Sequence, residues 1–348
     1  MTLQDNARLI HDRIEGLKQP FEHGLFTGQD AAENHFIKGA QSGRLSHAWL
    51  FSGPRGCGKA TFAFRLARYF VQARANPQAL QKAHLDEAAN EESPEFRQIA
   101  NGSHPNILYL TIPYDEKAKK FKTQISVDEV RRTTAFFGST SANAGWRIAI
   151  VDNANDLTIS AANALLKILE EPPEKTLFFL IADQPKRLLP TIRSRCQNLT
   201  FNELSGGELY EALMNATDEL SFDLDDINQH QDIINGSVRR AFHFASQDAV
   251  TLLDDFTKLI NQPSYDMPML HQFADQVSAR GADEKYLFFT EFLENHLVNK
   301  IRQGEGAQAT ISWADIWDKI HARIKDEESL NIDRKQTVLA MFHDMRFS

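Results

Sequence analysis

A glycine-rich segment early in the chain has the spacing of a phosphate-binding loop. Gly53, Gly58 and Lys59 fit the pattern G-x-x-x-x-G-K, and Gly56 lies inside it. Glycine lets backbone amides face phosphate oxygens, and the start of a following helix attracts negative charge. The lysine of this pattern reaches the β and γ phosphates of a nucleotide. Ala60 follows at the position whose hydroxyl normally binds Mg²⁺, so we predict a phosphate site that handles the metal poorly.

Two further positions bear on whether this site can hydrolyse a nucleotide. Thr61 carries a hydroxyl, but it lies about 100° further round the helix than Ala60 and is expected to point elsewhere. Asp152 directly follows the apolar run 147–151, and Asn153 comes next. At the position of Asp152, a P-loop domain carries an acidic residue that supports Mg²⁺. An amide is not a useful general base. We therefore expect a weak ATPase or none, with ATP binding still possible. The alternative for the glycine-rich segment is a structural turn, and the alternative for Asp152 and Asn153 is that they only shape the end of a strand.

The loop needs a strand before it and a helix after it, and the sequence provides both. Short apolar runs alternate with helical patterns up to Phe201, which is typical of a parallel sheet covered by helices on both faces. The predicted strands are 48–51, 107–112, 147–151 and 176–182. Residues 1–45 are predicted to be helical and polar, and residues 73–103 are predicted to form helices and loops. Beyond residue 202 only helical periodicity appears, with a plausible break near 246–250.

Composition narrows the class of protein. The 348 residues include 38 basic and 47 acidic side chains, a net charge of −9 that argues against tight autonomous binding of nucleic acid. Two cysteines, Cys57 and Cys196, cannot build a disulfide framework or a four-cysteine zinc site. The N-terminal segment lacks the apolar stretch of a signal peptide, and no apolar run approaches the length of a membrane span. We expect a cytoplasmic protein without a membrane segment.

Five motifs follow one another in a fixed order along the chain. They are SHAWLF at 46–51, SHPN at 103–106, AANALLKILEEPP at 161–173, LPTIRSRC at 189–196 and GSVRRA at 236–241. In this order they resemble the subunits of the bacterial DNA polymerase III clamp loader, within the AAA+ superfamily. The degraded nucleotide site is similar to that of the delta-prime branch rather than the gamma/tau motor branch. The motifs cover roughly 46–241, and the C-terminal third matches by position and helical pattern alone.

The resemblance implies three domains. They are an α/β AAA+ P-loop domain at 1–201, a helical lid at 202–246 and an all-helical collar for oligomerisation at 247–348. Many relatives carry a four-cysteine zinc module after the phosphate-loop helix, but residues 71–105 contain no cysteine. We therefore predict no zinc and no other metal site.

The resemblance also implies roles for single residues. Arg195, in the Ser-Arg-Cys triplet, would act as an arginine finger that enters the ATP site of a neighbouring subunit, where it stabilises charge on the transferring phosphoryl group. Arg239 matches the sensor 2 arginine of the lid. The sensor 1 region falls near Ala182 and Asp183, where active relatives carry a threonine. This departure again weakens hydrolysis by the chain itself.

The implied partners are the gamma/tau ATPase subunits and the delta subunit, with the sliding clamp contacted indirectly and primer–template DNA in the assembled complex. The chain would have little or no ATPase of its own but would be a component of the DNA polymerase III holoenzyme. One alternative is an autonomous AAA+ ATPase of the gamma/tau type, in which Lys59 and Asp152 suffice for turnover. A P-loop kinase is disfavoured by the Ser-Arg-Cys triplet and by the helical parts that follow it.

Overall fold

The chain divides into two compact units in a computed structural model. One unit comprises Met1–Leu220 with Gly236–Val238, and the other comprises Ser221–Asn235 with Arg239–Ser348. The structure describes residues 10–73, 75–138, 145–218, 224–229, 231–245, 247–262, 264–279, 282–303, 307–330 and 332–347. The division into three domains at 201 and 246 stays a prediction.

The first unit contains the strands and the helices that cover them. Its strands are β1 (Ala48–Ser52), β2 (Ile107–Leu110), β3 (Tyr114–Asp115), β4 (Lys120–Phe121), β5 (Arg147–Val151), β6 (Thr176–Ala182) and β7 (Gln197–Thr200). Its helices are α1 (Asp30–Gln41), α2 (Lys59–Phe70), α3 (Lys82–Ala88), α4 (Pro94–Ala100), α5 (Val127–Gly138), α6 (Ile159–Glu170), α7 (Pro190–Arg193) and α8 (Gly206–Ala216).

Five strands form a parallel sheet in the order β2-β5-β6-β1-β7, while β3 and β4 form a separate antiparallel hairpin. Every residue of β1 and β6 is buried, as expected of central strands that are covered on both faces. The predicted α/β class is therefore confirmed. The strands β1, β2, β5 and β6 lie within a residue or two of the predicted runs.

Alternate side chains of the central strands fill two separate cores. Phe51 and Phe179 face the core that includes residues of α1 and α2, whereas Leu50 and Phe178 face the core that includes residues of α5 and α6. This follows from the two-residue period of a strand, which sends neighbouring side chains to opposite faces. Because both faces are apolar, chemically active groups lie at the ends of the strands.

Two parts of the first unit differ from the sequence prediction. Strand β7 is not among the predicted strands, because three of its four residues are exposed and only Leu199 is buried. Residues 10–29 form turns and loops rather than helix, and the first described helix begins at Asp30. The predicted helices and loops at 73–103 are confirmed by α3 and α4.

The described secondary-structure elements of the second unit are all helices, as predicted. Its helices are α9 (Leu224–Gln229), α10 (Gln231–Ile234), α11 (Val238–Phe244, of which Val238 belongs to the first unit), α12 (Gln247–Ile260), α13 (Met267–Ser278), α14 (Asp283–Gln303), α15 (Ala307–Leu330) and α16 (Arg334–Phe347). A cluster of four buried phenylalanines joins α12, α13, α14 and α16: Phe256, Phe273, Phe289 and Phe342. Within the described ranges, no helix has the length and apolarity that a membrane crossing needs.

Phe51→Ala tests the packing behind the phosphate loop. The Phe51 ring is fully buried and contacts the rings of Phe62, Phe179 and Phe201 at centroid distances of 5.6, 5.2 and 5.4 Å. We expect the substitution to lower the free energy of unfolding of this unit by about 3–5 kcal/mol, because it leaves a cavity. Chemical denaturation measures the loss. Leu25→Ala, at a side chain that is 64% exposed, is the control and should change stability by less than about 0.5 kcal/mol.

Candidate functional site

The phosphate loop leaves the end of β1 and enters α2, as the sequence predicts. A Cβ atom at Gly53 would lie 2.3 Å from the carbonyl oxygen of Phe201, so no larger residue fits there. Gly56 and Gly58 have φ angles of 80° and 96°, a backbone region that favours glycine. Gly58 directly precedes the helix, which begins at Lys59. The three glycines are therefore required by the path of the loop.

The ammonium group of Lys59 is held entirely by the protein. Its side chain is only 4% exposed, and Nζ lies 2.8 Å from the Gly53 carbonyl oxygen and 2.5 Å from that of Pro54. A third oxygen, Oδ1 of Asp183, lies 2.7 Å from Nζ. A lysine has three N–H donors, so these three oxygens satisfy all of them.

The Asp183 carboxylate is held at both oxygens. Oδ1 pairs with Lys59, and Oδ2 accepts a hydrogen bond of 3.0 Å from Nδ2 of Asn153. Asp183 is the first residue after β6 and Asn153 is the second after β5, which places both at the same edge of the sheet. The side chains that follow these two neighbouring strands are thus bonded to each other.

Asp152 lies close to this group and is bonded to a neighbouring strand. Its Oδ2 accepts a hydrogen bond of 2.9 Å from the Tyr109 hydroxyl on β2. Burial raises the pKa of Asp152 to about 6, and the Asp183 carboxylate adds to the rise while the Tyr109 hydrogen bond opposes it. The proton affinity of this carboxyl group is therefore unusually high.

Negative charge accumulates at this edge of the sheet. Burial raises the pKa of Asp156 to about 7, and the Asp12 carboxylate, which is paired with Arg55, is the next cause. The carboxylates that influence one another here are those of Asp12, Asp152, Asp156 and Asp183. Despite these carboxylates, no three histidine, cysteine or acidic side chains in the described ranges are grouped as metal ligands would be.

The residues present do not fit the hydrolysis of a Mg²⁺-bound triphosphate. Ala60 has no hydroxyl, and Thr61 lies one position further along α2. The Asn153 side chain cannot act as a general base, and its amide N–H donates a hydrogen bond to Asp183. The P-loop frame and Asp152 are in place, but position 60 has no hydroxyl for the metal and position 153 has no base to activate water.

Arg195 lies away from its own phosphate loop, between α7 and β7. Its side chain is 34% exposed, and its guanidinium pairs with Oε1 of Glu170 at 2.5 Å. It also donates a hydrogen bond of 3.0 Å to the Thr191 carbonyl oxygen. Glu170 is the last residue of α6, within the AANALLKILEEPP motif. Nothing in the residue types of that motif indicates that it pairs with Arg195. Burial raises the pKa of the adjacent Cys196 thiol to about 12, which favours packing over redox chemistry.

Residues 236–238 approach the phosphate loop from a later part of the chain. A Cβ atom at Gly236 would lie 2.4 Å from the backbone nitrogen of Leu204, and the backbone N–H of Val238 donates to the Gly56 carbonyl oxygen at 3.0 Å. Arg239 is half-buried on α11 and belongs to the second unit. A contact between Arg239 and nucleotide stays a prediction.

Five parallel strands in this order, with a P-loop after β1 and an acidic residue after β5, define an α/β P-loop domain of the AAA+ class. Residues 28–205 match the model of the protein family described as "DNA polymerase III, delta subunit". This range is about half of the chain, and the chain belongs to that family.

Relatives include both kinds of subunit that the motifs resemble. The chain is 34% identical over 171 residues to DNA polymerase III subunit delta' of Bacillus subtilis, a match of 49% of this chain and 46% of that protein. The delta' subunit of Pseudomonas aeruginosa is 38% identical over 151 residues, covering 43% and 42%. Subunit gamma/tau of Mycobacterium tuberculosis is 33% identical over 192 residues, covering 53% and 29%. The chain thus spans less than half the length of these curated relatives.

A solved structure of a DNA polymerase III gamma subunit-related protein from Thermotoga maritima is also similar. It covers 91% of this chain and 99% of its own, at 16% identity and a TM-score of 0.44. A similarity at this level carries no argument about function.

Asp156→Asn tests the charge at the edge of the sheet. Because the folded-state pKa of about 7 lies above the ordinary value of 3.8, the wild-type side chain favours the folded state most when it is protonated, below about pH 4. That contribution is lost as the pH rises through 7. We therefore expect the variant to gain stability relative to wild type between pH 4 and pH 8, measured as a shift of the denaturation midpoint.

Asp128→Asn is the control for this measurement, because Asp128 is 78% exposed and pairs with Arg131 on the surface of α5. Its midpoint difference from wild type should change little over the same pH range. A difference for Asp156→Asn that stays constant from pH 4 to pH 8 would contradict the assignment.

Proposed function

We propose that this chain is a delta-prime-type subunit of a bacterial DNA polymerase III clamp loader and that it supplies Arg195 to the ATP site of a neighbouring subunit. The observation that carries the proposal is that Arg195, the arginine of the Ser-Arg-Cys segment, lies partly exposed on the surface. The P-loop of the same chain lacks the groups for hydrolysis. The chain would thereby contribute to ATP hydrolysis without catalysing it at its own loop.

The chemistry of arginine suits this role. A guanidinium is permanently charged and presents a planar fork of donors that matches phosphate oxygens. Such a residue supplied in trans can raise kcat by about 10³ to 10⁵. The pairing of Arg195 with Glu170 orients the side chain, and a partly exposed ion pair of this kind is worth only about 0–1 kcal/mol. A phosphate group could therefore replace Glu170 at little cost.

The proposal extends to the assembly and its location. The partners would be gamma/tau ATPase subunits and a delta subunit, with the sliding clamp and primer–template DNA engaged by the assembled cytoplasmic complex. Residues 202–246 would form the lid that carries Arg239, and residues 247–348 the collar. Family membership and the similarity to delta' and gamma/tau subunits support this assignment.

The second candidate is an autonomous ATPase of the gamma/tau type. The complete G-x-x-x-x-G-K pattern and the 33% identity to a gamma/tau subunit favour it. Ala60, Asn153 and the contact of Lys59 with Asp183 oppose it.

Arg195→Ala tests the proposed role in trans. The full chain is assembled with the gamma/tau and delta subunits of its own organism, and assembly is checked by size-exclusion chromatography. We expect the DNA- and clamp-stimulated ATPase rate of the assembled loader to fall at least tenfold, because the transition state loses a positive charge. Arg193→Ala is the matched control, since Arg193 is exposed and only two residues away. An unchanged rate for Arg195→Ala in an intact complex would remove the finger assignment.

The isolated chain separates the two candidate functions. We expect its steady-state ATPase rate to lie at the background level and to be the same for wild type and Lys59→Ala, because water activation and metal binding are both impaired. Turnover well above background that Lys59→Ala abolishes would establish the autonomous ATPase instead.

A further inference from the structure

The Asp183 carboxylate contacts two side chains at the position in a P-loop site where the terminal phosphate of a nucleotide binds. One is the ammonium group of Lys59, at 2.7 Å, and the other is the side chain of Asn153, at 3.0 Å. The lysine of a P-loop normally reaches the β and γ phosphates, and Asn153 lies one residue beyond the acidic residue that follows β5. A side chain of this protein therefore makes the contacts expected of a bound anion.

These contacts leave Lys59 without a donor for a ligand. Its three N–H groups point to the carbonyl oxygens of Gly53 and Pro54 and to Asp183, and its side chain is almost fully buried. A phosphate that binds Lys59 must first displace one of these oxygens. If Asp183 is displaced, its carboxylate loses the cation that compensates for its partial burial, which is costly.

We infer that Asp183 is a built-in anion that takes the place of a terminal phosphate at Lys59 and excludes nucleoside triphosphates from the loop. The inference concerns which ligands the loop accepts, and it is independent of the role proposed for Arg195.

The surroundings strengthen the exclusion. Asp12, Asp152 and Asp156 lie close enough to affect one another's charge. Once Asp152 and Asp156 are ionised, above about pH 7, these carboxylates and that of Asp183 outnumber the cations Lys59 and Arg55. A triphosphate brings further negative charge to this edge, and without a metal ligand at Ala60 that charge is not offset. A diphosphate shares only the β-phosphate contact with Lys59 and carries less negative charge, so the exclusion falls more heavily on triphosphates.

Asp183→Asn is the direct test, because asparagine keeps the size of the side chain and can still accept a hydrogen bond from Lys59. ATP and ADP are each titrated into the full chain by isothermal titration calorimetry, with and without Mg²⁺. We expect the affinity for ATP to rise at least tenfold and the ratio of ATP to ADP affinity to rise with it. The double variant Asp183→Asn, Lys59→Met should lose this gain, because the lysine no longer binds the phosphate.

Asp128→Asn removes the same charge at an exposed site of the same unit and should leave both affinities at the wild-type values. Thermal melting checks that each variant is folded, and Asp183→Ser replaces Asp183→Asn if the latter is not. Wild-type protein that binds ATP as tightly as the variant, or a gain that is equal for ATP and ADP, would overturn the inference. Neither result would bear on the Arg195 experiment, which measures a different site.

Discussion

The alignment of the central parallel strands is the constraint on which the rest of the site depends. β1, β5 and β6 end at the same edge of the sheet, and their register pairs Ser52 with Ala182 and Val151 with Leu180. The residues that follow these strands are therefore forced together: the phosphate loop, Asp152 and Asp183. Both faces of the sheet are filled by apolar side chains, so this edge is the place where polar groups can gather.

The polar groups at this edge satisfy one another. Lys59 binds Asp183, Asp183 binds Asn153, and Asp152 binds Tyr109. Such mutual bonding gives each of these groups a hydrogen-bond partner, which buried polar groups require. It also means that the loop keeps the frame of a nucleotide site while its strongest phosphate-binding group is already neutralised.

The sequence predicts the strands, the phosphate loop and the helix after it better than it predicts the contacts between their side chains. The apolar runs and the glycine spacing give the strands, the loop and the helix after it, because these depend on local pattern. Strand β7 has no apolar run that would predict it, because its side chains are mostly exposed. The pairing of Lys59 with Asp183 could not be predicted, because it depends on the register between two strands that are far apart in sequence.

The same limit applies to Arg195. Its motif indicates a role, but its contact with Glu170 arises only when the end of α6 packs beside the segment before β7. Tyr109 is a similar case, because a tyrosine within a predicted strand carries no sign that its hydroxyl will reach Asp152. Residue types and spacing thus give candidates, whereas tertiary packing selects their partners.

The ion pair between Arg195 and Glu170 has a consequence for how an interface could form around it. A guanidinium already paired with an anion has shed part of its hydration, and binding a phosphate would exchange one oxygen anion for another. The net change in charge burial at the arginine would be small, and the released Glu170, which is 49% exposed, would return to water. Dissolved salt competes with exposed pairs, so ionic strength would weaken the resting contact and the phosphate contact together.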